Sequence, residues 1–259
     1  MGWTTFLESA PPAGHGVQVY GELDELAVSV GRFLDAGFRS GEPALLIATA
    51  GHRQAFCGEL ERRGWKLDEL QKQGLLTDLD ADETLAALME GELPSAYRFE
   101  QVIGAAAEEV ASRFPERTIR AFGEMVDLLF QRGDEPAAIA LEELWNGLLE
   151  KRRVALLCAY ELDVFNHDAQ TSVLPEIIRT HTHTRPVADP ARLAAAVHDT
   201  LTDVVGSDAA TRIYLRVAEE VPRTTLARGQ AVLMWLSRHQ PATAQRVLQG
   251  ARSRYARAA

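Results

Sequence analysis

Two cysteines in 259 residues, Cys57 and Cys158, are too few for a disulfide framework. They fall on segments that read as a helix and a buried strand, so both are expected to be reduced, and a CxxC-type metal site is absent. No apolar run approaches the roughly 20 residues needed to cross a bilayer. The N-terminus lacks the basic, apolar and cleavage regions of a secretory signal, so the expectation is a cytoplasmic protein without membrane contact. Positive charge is also scarce: 27 Lys and Arg stand against 37 Asp and Glu, a net charge of -10. The deficit lies in residues 1–185, while residues 186–259 hold 10 Arg against 6 acidic residues. The larger part should repel nucleic acid, and direct nucleic-acid binding is not expected. Arg246, Arg252, Arg254 and Arg257 read as a solvated basic helix end.

The composition is 46% hydrophobic, 25% charged and 7% aromatic, as in a soluble globular protein with a full-sized core. Residues 1–14 read as a short lead containing Pro11, Pro12 and Gly14. His15 to Tyr20 then alternate as a strand, and Leu23, Leu26, Val30, Phe33 and Leu34 have helical spacing. The unbroken apolar run from Ala44 to Thr49 suits a central parallel strand, with Arg53–Arg63 as its crossover helix. The rhythm continues. Strands are expected at 75–79, 118–122 and 154–160, and helices at 82–89, 94–114, 136–149 and 170–179. Strands alternating with helices imply an α/β fold with a mostly parallel sheet flanked by helices. After Pro186 only helices follow, at 190–205, 209–220, 225–238 and 242–255, with Gly206, Pro222 and Pro241 between them. Leu226, Val232, Leu233 and Leu236 are the expected buried positions there.

The turn after the first central strand, Thr49-Ala50-Gly51-His52-Arg53, has one Gly and no Lys, which argues against a P-loop. Glu124 follows the strand that ends at Gly123, on the side where crevices open in parallel sheets. It suits either a ligand contact or the cap of the next helix. Glu142 and Trp145 share one face of the following helix. Glu142 reads as a second acidic group for the crevice or as part of a solvated face, and Trp145 as a pocket wall or core packing. Tyr160 ends the last clear strand, and its hydroxyl would need a partner such as a Glu if buried. His181 and His183 form a His-x-His pair which, with His15 or Glu124, has the makings of a three-ligand metal site. The spacing names no companion ligand, and no metal, cofactor or catalytic residue is assigned. Cys158 lies inside an apolar strand, where a thiol is usually inert.

In order along the chain, His15-Gly16-Val17-Gln18-Val19-Tyr20, Leu45-Leu46-Ile47-Ala48-Thr49 with His52-Arg53, and Asp80-Ala81-Asp82-Glu83-Thr84-Leu85 are followed by four further elements. These are Arg120-Ala121-Phe122-Gly123-Glu124-Met125, Leu141-Glu142-Glu143-Leu144-Trp145-Asn146, Leu157-Cys158-Ala159-Tyr160 and His181-Thr182-His183. Together they resemble the MEDS domain, the sensory domain named for methanogens, methylotrophs and DcmR. The resemblance spans about residues 15–187, leaving 188–259 as a helical C-terminal region without a kinase-like or helix-turn-helix segment. It implies a RecA/KaiC-like fold without a working P-loop. It also implies a module that recognises small organic compounds, including hydrocarbon derivatives, usually joined to a signalling or DNA-binding output. By that resemblance His15, Tyr20, Thr49, Glu124, Glu142, Trp145, Tyr160, His181 and His183 are candidates to line or support a ligand site.

The expected function is therefore a non-enzymatic sensor that relays occupancy to a helical region able to dock a signalling partner or a second copy of the chain. Two alternatives stand beside it: a protein-interaction regulator using the α/β core as scaffold, and a hydrolase using Glu124 or a His-bound metal.

Overall fold

The computed structural model describes residues 2–185, 187–221 and 227–257. The expected boundary residues Pro186 and Pro222, the expected helix start at Thr225 and the expected core position Leu226 lie outside them. The first elements are α1 (Trp3–Ser9), β1 (His15–Tyr20), α2 (Leu23–Arg39), β2 (Ala44–Ala48), α3 (Ala50–Arg62), α4 (Leu67–Lys72) and β3 (Leu76–Asp80). Next come α5 (Ala81–Leu88), a small hairpin of β4 (Met89–Glu90) and β5 (Leu93–Pro94), α6 (Ala96–Phe99), a π-helical turn at Glu100–Gly104, and α7 (Ala105–Arg113). Then follow β6 (Ile119–Gly123), α8 (Met125–Gln131), α9 (Glu135–Lys151) and β7 (Val154–Glu161). A second π-helical turn (Ala169–Val173), α10 (Leu174–Thr180) and β8 (His183–Arg185) precede four helices, α11 (Pro190–Val205), α12 (Ser207–Glu220), α13 (Arg228–His239) and α14 (Pro241–Arg257). No helix among the described residues is long and apolar enough to cross a membrane.

The fold is α/β, as the alternation implies. Its six-stranded sheet has the order β3-β2-β6-β7-β1-β8, and β1 with β7, β7 with β6, β6 with β2 and β2 with β3 run parallel. The four central strands, β2, β6, β7 and β1, are buried because helices cover both faces, which is why they read as apolar runs. Alternation along the strands decides what each face holds. Phe122, Ala155, Leu157 and Ala159 join Tyr20 and the helical residues Phe6, Leu26, Val30, Phe33 and Leu34 in one core. Cys158 and Tyr160, at the intervening positions of β7, therefore point to the opposite face.

Residues 1–14 are not a bare lead. Trp3–Ser9 is helical, with Phe6 and Leu7 buried. Phe6 stacks on Phe33 with ring centroids 5.8 Å apart, and it fills the space over Gly16, where a Cβ would come within 2.2 Å of its ring. A helix of about two turns carries too little periodicity to stand out beside Pro11, Pro12 and Gly14. Arg120, within the motif that ends β6, anchors the same region: its Nε donates to Glu42 Oε2 at 2.7 Å and its Nη1 to the Leu7 carbonyl at 3.1 Å. Gly37 lets that side chain pass, since a Cβ there would lie 2.6 Å from Arg120 Cγ.

The chain divides into two compact units, Met1–Glu161 with Thr180–His183, and Leu162–Arg179 with Thr184–Ala259. Within the second, Asp189 caps α11 by accepting from the Arg192 N–H at 2.9 Å, with Pro190 in the first turn, where its missing N–H costs nothing. Val232, Leu233 and Leu236 are fully buried. Leu162–Arg179, which the sequence pattern attaches to the α/β part, joins the helical unit through its own contacts. Gln230 Nε2 donates to Gln170 Oε1 at 2.6 Å, Phe165 packs on Tyr255, and Asp163 pairs with Arg252.

Candidate functional site

Two polar clusters lie in the α/β unit. The first forms where the strands end. β2 stops at Ala48, and Thr49 takes the position before α3; its N–H donates to Glu124 Oε1. His52, in the first turn of α3, meets Glu124 Oε2 through Nδ1. Glu124 reaches both because it directly follows β6, where its own N–H donates to the Ile47 carbonyl at 3.3 Å. Its carboxylate makes no cap to α8. Tyr20 closes β1 and donates its hydroxyl to Asp127 Oδ2 at 3.4 Å. Asp127, in the first turn of α8, also accepts from Gln131 Nε2 at 3.1 Å and the Glu161 N–H at 3.2 Å.

The electrostatics of this cluster follow from burial and pairing. The hydrogen bond to Glu124 raises the pKa of His52 against the opposing effect of burial. Burial pushes the Asp127 carboxyl up to about 6 despite its donors, and raises the Tyr20 hydroxyl as well. Glu124 and Asp127 are almost completely buried, whereas about a fifth of the His52 side chain reaches solvent. The cluster thus leaves an imidazole partly exposed and paired with the buried Glu124 carboxyl group.

The second cluster is buried on the opposite face of the sheet. Glu142 projects from α9, Cys158 and Tyr160 from β7, His15 from the start of β1, and His181 from the segment before β8. Tyr160 donates its hydroxyl to Glu142 Oε1 at 2.8 Å. His15 Nε2 lies 3.4 Å from both Cys158 Sγ and Glu142 Oε2, and His181 Nε2 lies 3.4 Å from Glu142 Oε1. One donor atom from each of His15, Glu142, Cys158 and His181 falls within 4.8 Å of all the others. On the far side of each ring, His15 Nδ1 meets Asn146 Oδ1 at 2.9 Å and His181 Nδ1 meets Thr180 Oγ1 at 2.9 Å. Thr182 ties the segment down, its N–H and hydroxyl both donating to the His15 carbonyl at 2.8 and 2.9 Å.

Burial leaves this cluster short of charge. Desolvation, reinforced by His181, pushes the pKa of His15 down to about 3, so its imidazole is neutral. Desolvation raises Glu142, Cys158 and Tyr160, with Glu142 adding to the rise in the last two. Such a site favours neutral groups until something positive enters it.

The nine sequence candidates therefore do not converge on one crevice. Tyr20, Thr49 and Glu124 belong to the first cluster, and His15, Glu142, Tyr160 and His181 to the second. Trp145 is 1% exposed and packs edge-on against Phe99 at 5.3 Å and over Gly123, where a Cβ would sit 3.4 Å from its ring. His183 turns away from His181 and stacks on Phe6 at 4.6 Å. His52, Asp127, Asn146 and Cys158 complete the clusters without having been candidates. Two signals for the second group are local: Cys158 and Tyr160 are two apart on a strand, and Glu142 and Asn146 are four apart on a helix. Asp127 follows Glu124 by three residues, one turn of α8.

These features define a parallel α/β domain with one polar cluster at the carboxyl ends of its strands and another buried on a sheet face. The family comparison is specific. Residues 14–182, well over half of the chain, match the model described as MEDS, the MEthanogen/methylotroph, DcmR Sensory domain, and the chain belongs to that family. No curated protein and no solved structure matches the chain.

Proposed function

We propose that this sensory-domain protein binds a small organic molecule at the carboxyl ends of its strands, with His52, Glu124, Asp127 and Tyr20 as the recognising groups. One observation carries the reading: side chains from three separate strand ends and their following helices meet there, and two of them are nearly buried carboxyl groups. Open parallel sheets bind ligands at this position. Carboxyl oxygens are acceptors, so the fitting ligand donates hydrogen bonds from a short apolar body, as an alcohol or amine does. Binding exchanges the His52–Glu124 contact for a ligand–Glu124 contact, which alters the start of α3.

The same reading includes RecA/KaiC-like descent with loss of the phosphate loop. The parallel sheet supports it, as do the turns after β1 and β2, each with a single glycine and no lysine. Output through residues 184–259 follows from chain continuity, because Glu161, whose N–H holds Asp127, is followed directly by Leu162 of the helical unit. The partner read for this region is a protein, docked through its helices.

The test is native mass spectrometry of freshly purified protein, followed by thermal-shift titration with short alcohols, amines and a cell extract. Retained or stabilising small molecules are expected, with affinity at least tenfold weaker in Glu124→Gln, where an acceptor oxygen is lost. Folded wild-type protein that binds nothing from either source would overturn the reading.

A further inference from the structure

We propose that His15 Nε2, His181 Nε2, Cys158 Sγ and Glu142 Oε2 together form a four-coordinate site for a divalent ion, with zinc the best fit. The inference does not rest on the crevice ligand. Two imidazoles, a thiolate and a carboxylate form a donor set suited to zinc, which accepts N, S and O ligands in tetrahedral geometry. Zn–N and Zn–O bonds of about 2.0–2.1 Å and a Zn–S bond of about 2.3 Å require donor separations of roughly 3.3–3.6 Å. His15 Nε2 already stands 3.4 Å from Cys158 Sγ and from Glu142 Oε2, and one donor atom from each of the four residues lies within 4.8 Å of the others. A contraction of about 1 Å in the widest separation is what an entering ion would draw in.

The surroundings are arranged as outer shells of metal sites are. Ligating histidines usually present the other ring nitrogen to an oxygen, which fixes the tautomer. His15 does this with Asn146, and His181 meets the Thr180 hydroxyl in the same way. Tyr160 occupies Glu142 Oε1 and leaves Oε2, which is buried and lacks a hydrogen-bond partner, to act as ligand. A buried carboxyl oxygen without a hydrogen bond is costly, and this one lies 3.4 Å from His15 Nε2 while Oε1 lies 3.4 Å from His181 Nε2, so the carboxyl group stands between two imidazoles. Charge balances too: a thiolate and a carboxylate neutralise a divalent ion, and uptake releases the thiol proton and any proton held by Glu142. With all four positions supplied by protein and no water required, the site is closed, joining β1, β7, α9 and the segment 180–183.

Cobalt(II) is the probe, because its tetrahedral complexes colour and a thiolate ligand adds a near-ultraviolet charge-transfer band. Full-length protein, stripped with a chelator, should take up about one cobalt per chain, develop both features and lose them on adding zinc. Cys57→Ser leaves Cys158 as the chain's one thiol, so a charge-transfer band that persists in this variant comes from Cys158 even if Cys158→Ser does not fold. His15→Ala should weaken cobalt binding at least tenfold and Asn146→Ala by about 10–100-fold, the positioning effect of an outer-shell partner. His183→Ala should titrate as wild type. Folded wild-type protein that gives no cobalt spectrum overturns the inference, as does a charge-transfer band lost in Cys57→Ser. Neither result bears on the crevice, which Glu124→Gln probes separately.

Discussion

His52 and Asp127 stand in the same cluster and both lose their contribution as pH rises, but in separate windows. His52 has its pKa raised above 6.5 by Glu124, so its pairing contributes fully below pH 6.5 and is lost as pH rises through the folded value. The gap in melting temperature between wild type and His52→Gln should therefore be widest near pH 6 and narrow steadily above it; a gap that is constant to pH 9 would show that the pair carries no charge. Asp127 is raised from 3.8 to about 6, so its folded state favours the proton. Its contribution is fully present below pH 3.8 and is lost by about pH 6, a change of about 3 kcal/mol. Urea unfolding should accordingly find wild type losing ground to Asp127→Asn between pH 4 and 6, opposite to the usual carboxylate trend. Equal slopes for the two proteins would refute the burial argument.

At the scale of single elements, Phe6 is the most deeply buried side chain of α1. Phe6 is fully buried against Phe33 and over Gly16, so Phe6→Ala should cost about 3 kcal/mol in denaturant unfolding. Gly16→Ala forces the same ring aside, since its Cβ would lie 2.2 Å away. In the Phe6→Ala background that conflict disappears, and the double-mutant cycle should show coupling above about 0.5 kcal/mol; strict additivity would remove Phe6 as the reason for the glycine. This contact also marks where local sequence stops being informative. The helix from Pro190 to Val205 was legible to the residue, because Pro190 opens it, Gly206 closes it and apolar residues recur at helical spacing between them. The strand at Ala44 was equally plain as an apolar run. Phe6 had no such frame, as its partners Gly16 and Phe33 lie far enough along the chain that only the packed fold joins them. The clusters divide in the same way. Glu124 at a strand end and Glu142 beside Trp145 could be read locally, whereas the meeting of His15 with His181 depends on sheet order and on β1 lying beside β7. Cys158 read correctly as buried, but burial alone does not say that its face of the strand carries two imidazoles and a carboxyl group.

The units of the whole molecule are interleaved along the chain, which passes from the first to the second at Glu161–Leu162, returns at Arg179–Thr180 and leaves again at His183–Thr184. The family match ends at residue 182, yet it contains Leu162–Arg179, whose contacts belong with the helices that follow. A cut placed by sequence at the end of the family-like segment, after Val187, would therefore divide a folded unit. It removes Gln230 from Gln170, Tyr255 from Phe165 and Arg252 from Asp163. The two π-turn and α10 segments from Ala169 to Arg179 would keep their backbone geometry only if it were intrinsic, and a stretch this short is marginal as an isolated helix in water. Hydrogen exchange of a chain ending at Val187 should thus show protection lost across 162–179, while amides of β1, β6 and β7, which pair with one another inside the first unit, retain it. Phe165, buried in the full chain, should become accessible to hydrophobic dye binding at the same time. Protection of 162–179 equal to that in the full-length protein would mean that this segment folds without the C-terminal helices and that the boundary near residue 187 is a real one.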